Sequence, residues 1–477
     1  MIPTSTKGNC MSRTIDKDTF KLVLTIVIIE LVSGFTQGYY EPLIPKFGLE
    51  LGVDASGLQL FNVIPTALAA ILVPFFTRMG DIKGYRFILR IVIPSVLVAT
   101  VLIWAGAFFG SWALVLVGRA FNGAIPVWMP LHIALVHSKT TGRTATNSVA
   151  AIVATMTLGT LLGTLSSGFV YNALGTVAAS IAFIPLLHVI CTLLVIFVMP
   201  EYVTGANTWI DRKGFILLGI FMIVAILGFT EVVEGGLDSV IGAVLLVGAI
   251  VVGVFWYRYE KRTKNPAIDV NVMFSRRLFP LYIAAICFGA VFYGYLSPVA
   301  TFLAADPAVY GYGYAFEPDA ISIAETVITG CTVIAAFILP FLLRKLPAKG
   351  VLIAGFVIAL IAFIQWLLPG TGLVRVALFV SLAGLGLGTV SAAIPVIIPD
   401  RATQDTKGIA TGLFNSSQTL GGALAGGLYV SLLKIGTTPD GLISNTGYDA
   451  VWIVCSLFIV IGLVVVAVFL TGDKTSD

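Results

Sequence analysis

Apolar stretches long enough to cross a lipid bilayer follow one another along almost the whole chain. A hydrocarbon core about 30 Å thick needs roughly 20 apolar residues of helix to span it. Hydrophobic residues make up 58% and charged residues only 11% of the 477-residue chain, a balance far outside that of soluble domains. Breaks at charged residues, glycine and proline predict fourteen transmembrane helices. They lie at about residues 21–43, 57–77, 87–108, 112–136, 147–171, 177–199, 214–231, 239–257, 279–303, 318–342, 350–369, 374–398, 408–433 and 450–471.

The gaps between these stretches alternate between basic gaps and gaps nearly free of basic residues. Of the 28 lysines and arginines, 24 lie in one alternate set of gaps and the two tails, whereas Lys46, Arg375 and Lys434 lie in the other set. The positive-inside rule assigns the basic gaps to the cytoplasm. We therefore predict cytoplasmic termini and a location in the plasma membrane, most simply a bacterial inner membrane. The net charge of +4 is then a topological signal and implies no nucleic-acid partner.

Few residues carry the chemistry of enzymes or metal sites. The five cysteines are scattered, mostly inside the apolar stretches, without the spacing of a metal site. No segment matches the phosphate-binding pattern G-x-x-x-x-G-K-[ST], and no Ser/His pair or His/Asp cluster falls at one membrane depth. We predict no cofactor, no metal and no enzymatic activity. The expected partners are a small-molecule substrate, protons and membrane lipid, and the protein is expected to be a monomer.

A weak internal repeat divides the chain into two halves. Lys83-Gly84 corresponds to Lys349-Gly350, and the sequence GAIPV at 123–127 is echoed by AAIPV at 392–396. Repeated six-helix halves with a site between them are typical of alternating-access transporters. We therefore predict an all-α polytopic membrane protein with a tail, an N-terminal half, two inserted helices, a C-terminal half and a second tail. The boundaries are 1–20, 21–200, 201–260, 261–471 and 472–477.

Three short motifs carry a family resemblance. The stretch TRMGDIKGYR resembles the loop signature of the major facilitator superfamily, with Asp81, Gly84 and Arg86 at matching positions. The stretch GRAFNG, which starts at Gly118, is similar to a second signature of that superfamily. The stretch GTLSSG, which starts at Gly163, resembles a degenerate copy of its antiporter motif. With fourteen predicted spans, the chain resembles the drug–proton antiporters of this superfamily.

The resemblance implies the major facilitator fold and transport by alternating access. It also implies that Asp81 faces the start of the thirteenth span, where an acid is favoured by the helix dipole. Such a contact exists only while the cytoplasmic side is shut. Asp81, Gly84 and Arg86 are therefore predicted to act as a conformational latch. The alternative is a plain cytoplasmic turn without a conformational role.

Charged residues inside the spans mark the candidate proton-coupling site, because a charge at bilayer depth is costly unless it is paired or faces water. Counted along the helices, Glu30 and Arg119 lie at comparable depth, and the resemblance implies that both spans line a central cavity. We therefore predict a Glu30–Arg119 pair that exchanges a proton for substrate, the alternative for Glu30 being a structural contact. Glu325 and Glu41 are further candidates. The alternative for Glu325 is a hydrogen-bonded structural acid. The alternative for Glu41 is a solvated acid at the external mouth.

Aromatic and polar residues on the predicted cavity spans are the candidate substrate-contacting residues. They are Gln37, Tyr40, Asn122, Trp128, His132, Tyr293 and Tyr295. Aromatic faces bind cations, so such a cavity suits a broad amphipathic or cationic ligand. Tyr40 and Tyr295 have an alternative place in the interfacial aromatic belt, and His132 has an alternative role as a structural histidine.

Glycine recurs in the fifth and thirteenth predicted spans. Small residues at helical spacing let membrane helices approach closely. The predicted helix-packing positions are Gly159, Gly163, Gly168, Gly422 and Gly426.

Together these features predict a secondary active transporter, and more narrowly a proton-coupled exporter of amphipathic or toxic small molecules. Two alternatives use the same fold. One is a symporter or facilitator that takes up a solute, and the other is a lipid or glycolipid flippase. Deletion of an exporter causes drug hypersensitivity, loss of an uptake system impairs growth on its solute, and loss of a flippase alters the cell envelope.

Overall fold

The protein is almost entirely helical wherever its structure is described. The computed structural model describes residues 17–140, 142–199, 211–235, 239–264, 266, 268, 270–368, 372–402, 407–435 and 443–470, and this part of the chain contains no β-strand. Most of the predicted N-terminal tail, 1–20, lies outside the described residues. The whole predicted C-terminal tail, 472–477, lies outside them as well. The helices in chain order are α1 Lys17–Tyr40, α2 Ile44–Leu51, α3 Ala55–Lys83, α4 Tyr85–Phe109, α5 Trp112–Asn122, α6 Trp128–Lys139, α7 Gly142–Leu174, α8 Val177–Ile181, α9 Ile184–Leu193, α10 Arg212–Gly235, α11 Val240–Arg262, α12 Val270–Met273, α13 Phe279–Phe292, α14 Leu296–Ala304, α15 Pro307–Tyr310, α16 Pro318–Leu343, α17 Ala348–Ile364, α18 Leu373–Arg401, α19 Lys407–Leu433 and α20 Asn445–Phe469.

Twelve segments of the described chain are long and apolar enough to cross a membrane. The seventh and thirteenth predicted spans do form helices, α10 and α19, but these two are not among the twelve. The middle of α19 carries the polar run from Asn415 to Thr419, which lowers its hydropathy. A helix that borders a polar cavity and packs against protein does not need an apolar surface all round. The all-helical membrane fold is confirmed, whereas the count of fourteen spans stays a prediction.

The helices pack as two halves. In the N-terminal half, α1 packs along α7, and α4 packs along α5 and α9; in the C-terminal half, α13 packs along α19, and α18 packs along α16 and α17. The halves meet where α3 packs on α19 and α7 packs on α16. We call the end of the bundle that carries the α3–α4, α6–α7, α16–α17 and α18–α19 connections the basic end, and the other the opposite end.

Glycines allow the close crossing of α1 and α7. A Cβ atom added at Gly159 would overlap the carbonyl group of Leu31. One added at Gly163 would overlap the carbonyl group of Phe35, and Gly34 lies equally close to the backbone of α7. These two helices therefore touch backbone to backbone, as small residues permit in membrane proteins.

The remaining predicted packing glycines lie at the contacts between halves. Gly168 of α7 lies against the carbonyl group of Pro318 at the start of α16. A Cβ atom at Gly422 would lie 3.1 Å from the Cγ2 atom of Thr66 in α3, and one at Gly426 would meet Val63 of the same helix. Glycine thus sets the approach of the halves as well as the packing within one of them.

The two predicted inserted helices form an antiparallel pair, α10 and α11. α10 packs on α19 and also reaches α3, where the rings of Phe215 and Phe75 lie 5.5 Å apart. Its outer side chains, such as Ile216, which is 61% exposed, are apolar. α10 therefore covers the junction of the halves from outside, and α11 packs on α10. Residues 201–210, which precede the pair, are not described.

Short turns interrupt several of the described helical segments. A 3-10 turn, Glu41–Leu43, separates α1 from α2, and another, Ile125–Val127, separates α5 from α6. In the C-terminal half, α13 ends at Phe292 and α14 begins at Leu296, with Gly294 between them. Pro126 has no backbone N–H group, so the regular series of helical hydrogen bonds is broken there. Interrupted helices of this kind free backbone groups to line a site.

Candidate functional site

A cavity of about 450 Å³ lies between the two halves. α1, α3, α5 and α7 line it from the N-terminal half, and α13, α14, α16 and α19 line it from the C-terminal half. Four of the predicted substrate-contacting residues are in its wall: Gln37, Asn122, Tyr293 and Tyr295. Both side-chain amide atoms of Asn122 are buried without a hydrogen-bond partner among the described residues.

Tyr40, Trp128 and His132 lie outside this wall, which corrects their predicted placement. All three are almost fully buried in the N-terminal half. The ring of Tyr40 lies 5.7 Å from the guanidinium carbon of Arg119, and the rings of Trp128 and His188 lie 6.0 Å apart. The rotation of each helix about its axis decides which face meets the cavity, and that rotation follows from packing. Tyr40 and Tyr295 are too deeply buried for an interfacial aromatic belt.

An acid and a base face the cavity from the N-terminal half and share one amide. Asn62 of α3 donates from Nδ2 to the Oε2 atom of Glu41 at 2.9 Å. Its Oδ1 atom accepts from the Nη2 atom of Arg119 at 3.2 Å. Glu41 and Arg119 are close enough for their charges to interact. The cavity therefore contains a carboxylate and a guanidinium that are connected through an uncharged side chain.

Arg119 is held in place by a backbone group and an aromatic face. Its Nε atom donates to the carbonyl oxygen of Phe61 at 2.8 Å. Its guanidinium carbon lies 4.0 Å from the centre of the Phe61 ring. The side chain is only 8% exposed. A cation stacked on a ring and bonded to a carbonyl is stabilised where water is scarce.

Glu325 faces the same cavity from the C-terminal half. It lies on α16, seven residues after Pro318, which corresponds to about 10 Å along the helix. The side chain is 2% exposed, and neither carboxylate oxygen has a hydrogen-bond partner among the described residues. Glu41 is close enough for its charge to act on Glu325. A buried, unpartnered carboxyl group beside a cavity is the group most available to a proton or to a cationic ligand.

Polar contacts join the halves at the opposite end. Lys46 and Glu317 form an ion pair at 2.9 Å, with 20% and 69% of their side chains exposed. Gln59 of α3 donates to the carbonyl oxygen of Gly294 at 2.9 Å. Ser322 of α16 accepts from the backbone of α7 at 2.9 Å. These contacts hold the two halves together on the side of the cavity that faces the opposite end.

The sequence pattern of the Major Facilitator Superfamily matches residues 26–426. This range includes most of both halves, the inserted helices and all three cavity charges, and it ends before α20. The chain belongs to the Major Facilitator Superfamily. The protein is therefore a multi-pass membrane transporter rather than an enzyme. The match does not extend to a subfamily, so membership of the 14-span drug–proton antiporters stays a prediction.

The curated relatives that this chain matches transport different molecules. The uridine/deoxyuridine transporter of Lactococcus lactis subsp. cremoris is 20% identical over 273 residues, 56% of this chain and 56% of the relative. The triacylglyceride transporter of Mycobacterium tuberculosis is 24% identical over 221 residues, 46% of this chain and 43% of the relative. The chain thus spans about half the length of the curated relatives that it matches.

Solved structures of other transporters share the fold of this protein. A mutant of the nucleoside transporter NupG superposes with a TM-score of 0.67 at 13% identity, covering 94% of this chain and 100% of NupG. The POT family transporter PepTSo superposes with a TM-score of 0.65 at 16% identity, covering 94% and 97%. The predicted major facilitator fold is confirmed.

The predicted pair of Glu30 and Arg119 does not form in this structure. The Oε1 atom of Glu30 lies 2.7 Å from the Nδ1 atom of His132, and both side chains are buried in the N-terminal half. Glu30 is not in the cavity wall, whereas Glu41, Arg119 and Glu325 are. Glu41 lies eleven residues further along the chain, about 16 Å if the helix continued unbroken. Depth counted along single helices could not show that Arg119 is at the level of Glu41, because tilt and stagger are set by packing.

The predicted latch lies at the basic end, between α3 and α4. Asp81 accepts from the Tyr85 hydroxyl at 2.8 Å and lies 3.8 Å from Arg78. Gly84 joins the helices with a φ of 97°, a left-handed conformation that favours glycine. Arg86 donates to the carbonyl oxygen of Ile196 at 3.1 Å. The side chains at the start of α19, residues 407–409, lie outside the described set, so the latch stays a prediction.

Sequence reasoning missed Asn62 and Gln59, which make the two most informative contacts of α3. Gln59, Asn62 and Thr66 recur three and four residues apart, so they share one face of a helix. Uncharged amides in an otherwise apolar span were the available signal. The polar residues predicted to contact substrate, such as Gln37 and Asn122, all lie on other helical segments.

Breaking the ion pair at the opposite end should expose the cavity from that side. In a Lys46→Met variant, we expect a cysteine at Thr66, in the cavity wall, to react faster with a membrane-impermeant thiol reagent applied to intact cells. An exposed ion pair contributes about 0.2–1 kcal/mol, so the rate should rise by up to about fivefold.

The charge-swapped protein, with Lys46→Glu and Glu317→Lys, is the matched control and should label as slowly as the parent. Equal labelling of all three proteins would show that the ion pair does not hold the halves together.

Proposed function

We propose that this protein is a proton-coupled exporter of small amphipathic molecules that carry a positive charge or a strong hydrogen-bond donor. The observation that carries the proposal is the set of charges around the cavity. Two carboxyl groups, Glu41 and Glu325, and one guanidinium, Arg119, line it. When both acids are ionised the set has one net negative charge, which favours a cation.

Competition for Glu325 supports exchange rather than cotransport. Its carboxyl group has no partner among the described side chains, so a proton or a cationic cargo supplies its counter-charge. Because one carboxylate does not hold both at once, the arrival of a proton favours release of the cargo. Each ligand shifts the conformational equilibrium only by the difference in its affinity for the two states. Exclusive occupancy therefore couples proton entry to cargo exit.

The size and lining of the cavity favour a small cargo with both polar and apolar parts. A volume of about 450 Å³ falls in the range of small-molecule sites. Gln37, Asn122 and Gln418 offer amides, while Phe292 and Tyr293 offer aromatic rings. Long acyl chains would leave the amides unpaired, at a cost of about 1–3 kcal/mol for each buried group. This disfavours the flippase alternative.

A second candidate is uptake of an uncharged, hydrogen-bonding solute of nucleoside size. The unpartnered amide of Asn122 favours it, because an amide presents a donor and an acceptor side by side. The transport of uridine and deoxyuridine by the Lactococcus relative is consistent with this candidate. In both candidates we place the basic end in the cytoplasm, on the strength of the charge alternation.

A flux assay in proteoliposomes tests the proposal. With an imposed pH gradient, we expect a lipophilic cation such as ethidium to move against the proton flow, at least about tenfold faster than in liposomes without protein. Collapse of the gradient with a protonophore should remove the difference.

Uridine and a neutral dye serve as comparison cargoes in the same assay. Gradient-driven accumulation of uridine without movement of the cation would favour the second candidate. Transport that ignores the gradient would contradict proton coupling altogether.

A further inference from the structure

Asn62 is placed where three helical segments of the N-terminal half meet. It lies on α3, and its amide contacts Glu41 after α1 and Arg119 of α5. The residue is 7% exposed. One uncharged side chain thus joins the acid and the base that face the cavity.

The orientation of this amide is set by its two partners. The Nδ2 group donates to a carboxylate, and the Oδ1 atom accepts from a guanidinium. A flipped amide would set oxygen against oxygen at Glu41 and nitrogen against nitrogen at Arg119. While both partners are ionised, both hydrogen bonds are charge-assisted, which makes them roughly twice as strong as neutral ones. Neutralisation of Glu41 would weaken the first bond, and the same amide is also a partner of Arg119.

The same face of α3 carries a contact between the halves. Gln59 lies one turn before Asn62 and donates to the carbonyl oxygen of Gly294. Gly294 separates α13 from α14, and its neighbours Tyr293 and Tyr295 line the cavity. A displacement of α3 at Asn62 therefore reaches the contact that closes the opposite end.

We propose that Asn62 is a positioning residue that transmits the charge state of Glu41 to Arg119 and, through α3, to the Gln59–Gly294 contact between the halves. The inference rests on the proposed function in one respect, since proton coupling requires the charge of Glu41 to change during transport. The charged and titratable groups that interact with Glu41 are Arg119, Glu325 and Tyr295. Tyr40, the preceding residue, faces Arg119. Arg119 is the one of these groups that shares the amide of Asn62 with Glu41 among the described residues.

Spin-label distances across the opposite end test this inference. Labels at Leu49 and Val309, which are 75% and 62% exposed in opposite halves, report whether that end is closed. We expect Glu41→Gln alone to change the ratio of closed to open populations by about fivefold or more. In an Asn62→Leu background, the same change at Glu41 should have a much smaller effect, because only the direct action of its charge on Arg119 and Glu325 remains.

Gln37→Leu is the matched control, because Gln37 is an amide of the same cavity whose hydrogen bonds within the described part of the chain go to Ser33. The effect of Glu41→Gln should persist in that background. If Asn62→Leu does not fold, Asn62→Ser removes the amide with a smaller side chain and replaces it in the same test.

Equal effects of Glu41→Gln with and without Asn62 would overturn the inference, as would a Glu41→Gln protein whose distances match the parent. The measurement uses neither a cargo nor a pH gradient. A failed flux assay with a positive spin-label result would therefore reject proton coupling and retain the role of Asn62. The reverse pattern would retain proton coupling and reject the role of Asn62.

Discussion

Replacing Glu325 by glutamine is expected to abolish cation transport driven by a pH gradient. Glutamine keeps the shape of the protonated acid but can neither release a proton nor pair with a cation. Loss of a charge-assisted contact should weaken binding of a cationic cargo by roughly ten- to a hundredfold. The initial rate of flux into proteoliposomes, measured with and without the gradient, reports both losses. Movement of a neutral dye down its own gradient should survive, because the cavity and the alternating halves remain.

Glu30→Gln is the matched control, since it removes a buried carboxyl group that lies outside the cavity and contacts His132. We expect that variant to keep gradient-driven transport once it is folded. Full activity of Glu325→Gln together with inactivity of Glu30→Gln would return the proton-coupling role to Glu30. Full activity of both variants would leave Glu41 as the remaining cavity carboxylate.

Replacing Gly163 by valine is expected to destabilise the folded protein strongly. A Cβ atom there overlaps the carbonyl group of Phe35, so α1 and α7 must separate. Overpacking typically costs about 1–3 kcal/mol, and a clash with backbone, which cannot rotate away, should fall at the upper end. The temperature at which the purified protein loses its monodisperse elution should fall clearly.

Gly330→Val is the control for this substitution, because a Cβ added at that position of α16 meets no heavy atom of the other described helices within 4 Å. We expect its melting temperature to stay close to that of the parent. Similar melting temperatures for the two variants would show that the glycine at the α1–α7 crossing is not required for packing.

The membrane architecture was predictable because its causes are local. A bilayer demands long apolar helices, and topology leaves a record in the positions of lysine and arginine. The repeat of Lys83-Gly84 at Lys349-Gly350 and the resemblance of the 77–86 stretch led to the superfamily that the family match then confirmed. The number of spans was less secure, since α19 mixes a polar face with an apolar one.

The charged residues of the candidate site were predictable from the sequence, but the contacts between them were not. Arg119, Glu41 and Glu325 were recognisable from the sequence as charges within or beside spans, and all three line the cavity. The predicted pair of Arg119 with Glu30 was wrong, as Glu30 meets His132 instead. Asn62 was missed, because its importance comes from two partners on other helices.

From sequence alone, then, hydropathy, charge placement and motif spacing determined that this protein is a helical transporter with two related halves and a few costly charges in its spans. Only the tertiary structure decided which charges share a cavity and which amide connects them. The physical reason is that insertion depends on each helix and the membrane, whereas ion pairs depend on the rotation and stagger of several helices packed together. A shift of one helix by a single turn, about 5.4 Å, exchanges one partner for another.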